Sequence, residues 1–207
     1  LLVAMNPAGL KTNIYSVKPG HTIIVDIDSF TKKNLEKAKY ETNPLKDDSL
    51  ENYRVIEVSM SSLTKAALKD IENLDNKSII RSKNMFALGI VYWMYDRSPE
   101  HTIDFFKKKF ASKPHLIESN TKVLNAGYYY AETLELIPNA YSISPAKMKS
   151  GTYRIISGNT ATAWGFLAAA EKSGLELFLG SYPITPATDI LHELVKHKHF
   201  GVKAFQA

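Results

Sequence analysis

The sequence predicts an α/β protein built of two successive α/β pieces, the first with a parallel sheet and a helical C-terminal half. Three observations carry this reading. Thr22-Ile23-Ile24-Val25 is a β-branched run behind a Pro19-Gly20 turn, the composition of a strand buried on both faces of a parallel sheet. From residue 78 to about residue 132, apolar side chains recur at helical spacing. Residues 158–207 then read helix, strand, loop, helix, strand, the repeating unit of parallel sheets.

Taken in order, Leu1 to Ala4 is a short buried strand. Asn6 is placed to cap a helix whose first position is Pro7. Asp26 and Asp28 stand at the end of the 22–25 strand, where α/β folds gather functional groups; the acids of an ordinary loop would read the same. Residues 40–52 are polar and loop-like. Residues 53–58 alternate as a strand, and Ser61 or Ser62 caps a helix over 63–71. The next helix covers 78–95, with Ile79, Met85, Phe86, Leu88 and Val91 on a broad apolar face, and Arg97-Ser98-Pro99 ends it. Ile103, Phe106 and Phe110 mark a short amphipathic helix whose back, Lys107-Lys108-Lys109, is a solvated face. Pro114 opens a helix to about residue 130, and Tyr128-Tyr129-Tyr130 reads as core and interface packing.

Pro138, Ser142, Ser144, Pro145, Ser150 and Gly151 then break all periodicity. Residues 137–157 are therefore expected to link a first domain, 1–136, to a second, 158–207. Ala-rich residues 160–172 form a helix with Gly174 as its C-cap. A strand over 175–179, a loop over 181–185, a helix opened by Pro186 and a last strand after Gly201 complete the chain. Both ends read as cut. Leu1 begins as if inside a strand, and 202–207 alternates like a strand with no turn after it. The expectation is a first domain truncated at its N-terminus and a second truncated at its C-terminus.

The 207 residues are 44% hydrophobic and 23% charged, enough for a real core. There is no cysteine, which excludes a disulfide scaffold, a thiol nucleophile and any iron–sulfur cluster carried by these residues; it fits a reducing cytoplasm. The net charge of +5 is spread along the chain and reads as solubility, not nucleic-acid binding. No window approaches the roughly 18 apolar residues of a membrane span, and no basic segment precedes the apolar start. A soluble, cytoplasmic chain with neither membrane nor nucleic-acid partners is expected. His192, Glu193 and His197 imitate a zinc-protease helix, but spacing of i and i+5 sets the histidines about 140° apart, and Lys196 occupies the position where the second histidine belongs. No metal site is expected. Dinucleotide, P-loop and α/β-hydrolase glycine motifs are all missing, as is the Gly-Asp-Gly…Asn arrangement that holds Mg²⁺ and a diphosphate.

The informative segment is Ser181-Tyr182-Pro183-Ile184-Thr185-Pro186-Ala187. Two prolines bracket Ile184-Thr185, lock two φ angles and remove two donors. The stiff loop lies beyond the carboxyl end of a strand and before a helix, where open α/β sheets bind ligands. One hydroxyl, Thr185, beside one branched apolar group, Ile184, suits a small ligand with a polar anchor and an apolar wall. A rigid connection with a helix-initiating Pro186 would have the same sequence, and on these grounds both readings stand.

Tyr182-Pro183-Ile184-Thr185-Pro186 resembles the signature loop of the 2-oxoacid:ferredoxin oxidoreductases. Gly158-Asn159-Thr160-Ala161-Thr162-Ala163 is similar to the helix start of the pyrimidine-binding domain in their α subunit. Asp189-Ile190-Leu191-His192-Glu193-Leu194 and Phe205-Gln206-Ala207 resemble the 2-oxoglutarate type. Ala4-Met5-Asn6-Pro7-Ala8-Gly9-Leu10-Lys11, residues 81–89 and residues 107–114 resemble the γ domain fused ahead of it. The resemblance covers essentially the whole chain.

It implies an enzyme subunit that takes part in oxidative decarboxylation of a 2-oxoacid, 2-oxoglutarate above others, to an acyl-coenzyme A. The cofactor would be thiamine diphosphate with Mg²⁺, shared with a β subunit that holds the diphosphate. Electrons would leave through iron–sulfur clusters on partner chains to ferredoxin. Thr185 would be the catalytic hydroxyl, donating to cofactor or substrate; Ile184 would lie beside the ring, with Tyr182, Pro183 and Pro186 shaping the cofactor-binding turn. The family also has a glutamate after the Gln-x pair, whereas the chain stops at Gln206-Ala207, and the glycine-rich opening of the γ domain is missing. The 207 residues alone are thus expected to be inactive. Two rival readings remain at this point: a non-catalytic α/β interaction protein, and the pyrimidine domain of another thiamine diphosphate enzyme.

Overall fold

The computed structural model describes residues 1–71, 74–133 and 141–207. They form two compact units, residues 1–145 and residues 146–207. The expected linker begins outside the described residues, which also leaves out Pro138; its remainder, 141–157, has no regular secondary structure.

In the first unit, strands β1 (Leu2–Ala4), β2 (Thr22–Asp26) and β3 (Arg54–Val58) make a parallel sheet in the order β1-β2-β3. Ala4 pairs with Val25, and Val25 with Glu57. The β-branched run occupies the centre of the sheet, and every residue of β2 is buried. Complete burial of Ile23, Ile24 and Val25 is worth about 1.5–3 kcal/mol each before the entropy of ordering them is subtracted. Ile23 and Val25 face a cluster with Leu10, Phe30 and Leu50, while Ile24 faces the larger one with Val58, Met60, Phe86, Ile90, Met94 and Val123. One strand thus seeds two cores, one on each side of the pleat.

Helix α1 (Pro7–Asn13) starts as its sequence prescribes, with the Asn6 carbonyl oxygen of the side chain accepting from Gly9 N at 2.8 Å. Helix α2 (Lys32–Lys37) is capped by Thr31. Helix α3 (Met60–Ala67) begins three residues earlier than expected, and its cap position is Ser59, whose side chain makes no capping bond. Ser61 and Ser62 do not cap it: the Ser61 hydroxyl donates to Asp26 at the end of β2, and the Ser62 backbone N–H donates to Asp28 just beyond it. Helix α4 (Asn76–Met94) is capped by Asp75, which accepts from Ser78 N at 2.9 Å. Helices α5 (Glu100–Lys109) and α6 (Pro114–Thr133) follow. The α4–α6 pair packs backbone against backbone at Gly89 and Gly127: a Cβ on Gly127 would lie 2.0 Å from the Phe86 carbonyl oxygen, and one on Gly89 2.1 Å from that of Leu124. Of the three tyrosines, Tyr130 packs on Phe86 with ring centroids 5.5 Å apart, whereas Tyr129 is exposed. The triplet is core on one side only, because successive helical residues diverge by about 100°.

In the second unit, helix α7 (Gly158–Ser173) is capped by Ser157 and ends at Gly174, whose φ of +69° is the left-handed conformation glycine accepts without strain. Strand β4 (Phe178–Ser181) lies further along than the expected 175–179 and pairs in parallel with β5 (Lys203–Gln206). Leu177, just before β4, and Leu179 pack on the small core of Ala163, Leu194 and Val202. Helix α8 (Thr188–Val195) connects the two strands. It is shorter than expected, and Pro186 stands before its cap residue, Ala187.

Candidate functional site

The loop between β4 and α8 carries all five residues expected at a site, and all five are exposed. Tyr182 is 68% and Ile184 61% accessible, although both are large apolar groups. The backbone around them is tied at three carbonyls. The Tyr182 carbonyl accepts from Ile184 N at 2.8 Å and from Ser181 Oγ at 3.1 Å. The Ile184 carbonyl accepts from Thr188 N at 2.9 Å and Thr188 Oγ1 at 3.1 Å. The Pro186 carbonyl accepts from Asp189 N at 3.1 Å and from Asn159 Nδ2 at 2.9 Å. The peptide joining Thr185 to Pro186 is cis. Amid these bonds the Thr185 hydroxyl has no partner among the described residues. The arrangement can offer the Thr185 hydroxyl, and the Tyr182 phenol near it, to a molecule laid against Ile184 and the Tyr182 ring. A hydroxyl both donates and accepts, and an aromatic and a branched apolar surface beside it suit a flat, partly polar ring.

The loop is seated on helix α7. Ser157 Oγ accepts from Thr160 N at 3.1 Å, which sets the first turn, and within that turn Asn159 Nδ2 donates to the Pro186 carbonyl. Deeper in the unit, Trp164 Nε1 donates to Glu193 Oε1 at 3.0 Å and joins α7 to α8. Lys196 also donates to Glu193 at 2.7 Å, and His197 Nε2 lies 3.3 Å from it. Glu193 is lowered to about 2, first by the Lys196 hydrogen bond, then by that from Trp164, with burial opposing and His197 adding to the effect. His197 is thereby a neighbour of Glu193, and among the described residues no three His, Asp or Glu side chains gather as a metal set.

The two aspartates of the first unit have different fates. Asp26 is fully buried and accepts from Lys83 Nζ at 2.8 Å, Ser29 Oγ at 2.7 Å and Ser61 Oγ at 2.9 Å. Burial pushes its carboxyl up, but the hydrogen bonds from Lys83, Ser29 and Ser61 outweigh burial and hold it below its ordinary value. Asp28 accepts from Ser62 N at 2.6 Å. Both carboxylates are used to join sheet, α3 and α4. In the lysine run, Lys107 pairs with Asp104 at 2.9 Å and Lys109 lies over the rings of Phe105 and Phe110. Two residues carry a sequence signal only as members of a motif: Lys83, within the polar run Arg81-Ser82-Lys83-Asn84 of the 81–89 segment, and Asn159, in the Gly-Asn pair.

Residues 1–130 match the family model described as pyruvate ferredoxin/flavodoxin oxidoreductase. The whole chain is 51% identical to 2-oxoglutarate oxidoreductase subunit KorA of Mycobacterium tuberculosis and covers 32% of that protein. Over 66% of its length it is 25% identical to the α subunit of 2-oxoacid:ferredoxin oxidoreductase 1 of Aeropyrum pernix, covering 20% of it. In solved structures, 99% of the chain matches 31% of a chain of 2-oxoglutarate:ferredoxin oxidoreductase from Magnetococcus marinus, bound to 2-oxoglutarate, coenzyme A and succinyl-CoA, at TM-score 0.70 and 26% identity. The chain thus spans about a third or less of the length of the relatives it matches. With the family model covering more than half of its residues, the chain belongs to the pyruvate ferredoxin/flavodoxin oxidoreductase family.

Proposed function

We propose that the chain is part of the α subunit of a 2-oxoglutarate:ferredoxin oxidoreductase, and that residues 182–186 form its contribution to a thiamine diphosphate site. The observation that carries this is the unpartnered Thr185 hydroxyl, exposed beside Ile184 and Tyr182 on a loop whose Tyr182, Ile184 and Pro186 carbonyls are held by hydrogen bonds. An exposed hydroxyl without a protein partner, on a backbone held on both sides of it, is available to a ligand, and the aromatic and branched surfaces beside it fit the face of a pyrimidine ring. The names of the matched relatives support the substrate: two are 2-oxoglutarate enzymes, and the solved one holds 2-oxoglutarate and coenzyme A.

In this reading residues 1–136 are a γ-type domain, 137–157 a linker, and 158–207 the first units of a pyrimidine-binding domain. Thiamine diphosphate, held by residues 182–186 on this side, would supply the carbanion chemistry needed for decarboxylation of a 2-oxoacid. The work of this chain is positional. Pro183 and Pro186 fix the turn, Ile184 provides the wall, and Thr185 donates to an oxygen or nitrogen of cofactor or substrate. Mg²⁺, the diphosphate and the iron–sulfur clusters are assigned to partner chains, with a β subunit, ferredoxin and coenzyme A as partners. The absence of cysteine among the 207 residues supports a reducing, cytoplasmic setting; among the described residues no helix is long and apolar enough to cross a membrane.

The test is Thr185→Val in the full-length α subunit assembled with its partner subunit. Removing a hydroxyl whose partner is then left unpaired is expected to cost about 1–3 kcal/mol in kcat/KM for 2-oxoglutarate-dependent ferredoxin reduction. Unchanged turnover would reject the loop as part of the site and favour a purely structural connection.

A further inference from the structure

We infer that Asn159 is a positioning residue for the 182–187 loop and acts on the chemistry through Thr185. The inference rests on the function proposed above and deepens it. Asn159 sits in the first turn of α7, where asparagine is a weak helix former and would ordinarily serve as a cap. The cap is already supplied by Ser157, which accepts from Thr160 N and lies 3.0 Å from Thr160 Oγ1. Asn159 is therefore spared for a distant partner, and its amide reaches 27 residues along the chain to the Pro186 carbonyl at 2.9 Å.

That carbonyl is well chosen. The pyrrolidine ring locks φ of Pro186. A donor fixed on a neighbouring helix holds the following peptide plane and so restricts ψ. With both torsions set, Thr185 is attached to a rigid support on its C-terminal side, as Thr188 supports the Ile184 carbonyl on its N-terminal side. The two sequence signals of this unit, Gly-Asn and Tyr-Pro-Ile-Thr-Pro, are thus one physical object. The Trp164–Glu193 bond also joins α7 to the element after the loop, but it does so away from Thr185 and provides an internal control.

The test uses four variants of the full-length α subunit assembled with its partner: Asn159→Asp, which keeps the shape but removes the donor, Thr185→Val, the two combined, and Trp164→Phe. Backbone amide exchange over 184–190 is read alongside turnover. Asn159→Asp is expected to speed exchange there roughly 10-fold as local opening becomes easier, and to lower kcat/KM roughly 10- to 100-fold through misplacement of the hydroxyl. In the Thr185→Val background the same change should cost little more, because residues that act as one unit are not additive. Trp164→Phe should lower the thermal midpoint without the exchange change at 184–190. Unaltered exchange in Asn159→Asp would overturn the brace. Raised exchange with fully additive losses would overturn its action through Thr185. If Thr185→Val left turnover intact while Asn159→Asp still raised exchange, the brace would stand and the proposed function would fall.

Discussion

The two units treat their polar groups in opposite ways. In residues 1–145 the carboxylate of Asp26 ends a fully buried strand and takes three side-chain hydrogen bonds, leaving nothing to offer a ligand. In residues 146–207 the hydroxyl of Thr185 stands in the corresponding place, beyond the carboxyl end of β4, with no protein partner among the described residues. The cores differ in parallel. The first unit encloses two clusters around β2, whereas the second encloses Ala163, Leu194 and Val202 and leaves Phe178, Phe205, Tyr182 and Ile184 exposed. Position at the end of a strand therefore does not make a residue functional; what matters is whether its polar atoms are already satisfied.

The sharpest way to break this contrast is to remove the cation from the satisfied site. Lys83→Met would strand a buried carboxylate and is expected to destabilise the first unit by about 3–5 kcal/mol, read as a lowered urea midpoint; a loss below ~1 kcal/mol would mean that Asp26 is not dependent on its partner. Gly127→Ala comes next. The new methyl would meet the Phe86 carbonyl at 2.0 Å, and backbone cannot swing aside, so α4 and α6 must separate at about 3 kcal/mol.

Acid should also separate the units. Asp26 has a lowered pKa in the fold, so its contribution is present above the unfolded value near ~3.9 and is lost as pH falls through the lower folded value. Glu193 behaves in the same sense over a window from its ordinary 4.5 down to about 2. Because Trp164 donates to Glu193, its fluorescence in a Trp93→Phe background should hold through pH 4.5 and change only toward about 2; a transition at 4.5 would show that the bond is absent. The smallest effect is expected at the lysine run. Lys107→Ala removes an exposed pair with Asp104 and should alter stability by no more than about 0.5 kcal/mol.

Much of the architecture could be read along the chain because it is governed locally. The Asn6 cap, the Pro114 start, the Gly174 stop and the β-branched strand each follow from groups within a few residues of one another. Helix α3 differs from its sequence expectation where long-range groups meet it: the Ser61 hydroxyl donates to Asp26, 35 residues away, and Asp28, 34 residues away, takes the Ser62 backbone N–H of the first turn. Strand β4 lies further along the chain because its extent is set by pairing with β5, Phe178 opposite Lys203 to Ser181 opposite Gln206, a partner more than twenty residues away.

The loop shows the same division at the scale of the site. Two prolines around Ile184-Thr185 already dictated a stiff turn, since proline restricts its own φ wherever it occurs. That the Thr185 hydroxyl is free while Asp26 is not, and that Asn159 holds the Pro186 carbonyl, depended on groups brought together from 27 to 57 residues apart. Local chemistry sets which conformations a segment can adopt. Only packing decides which donors and acceptors meet, because hydrogen bonds act at about 3 Å and no spacing in the sequence encodes that distance.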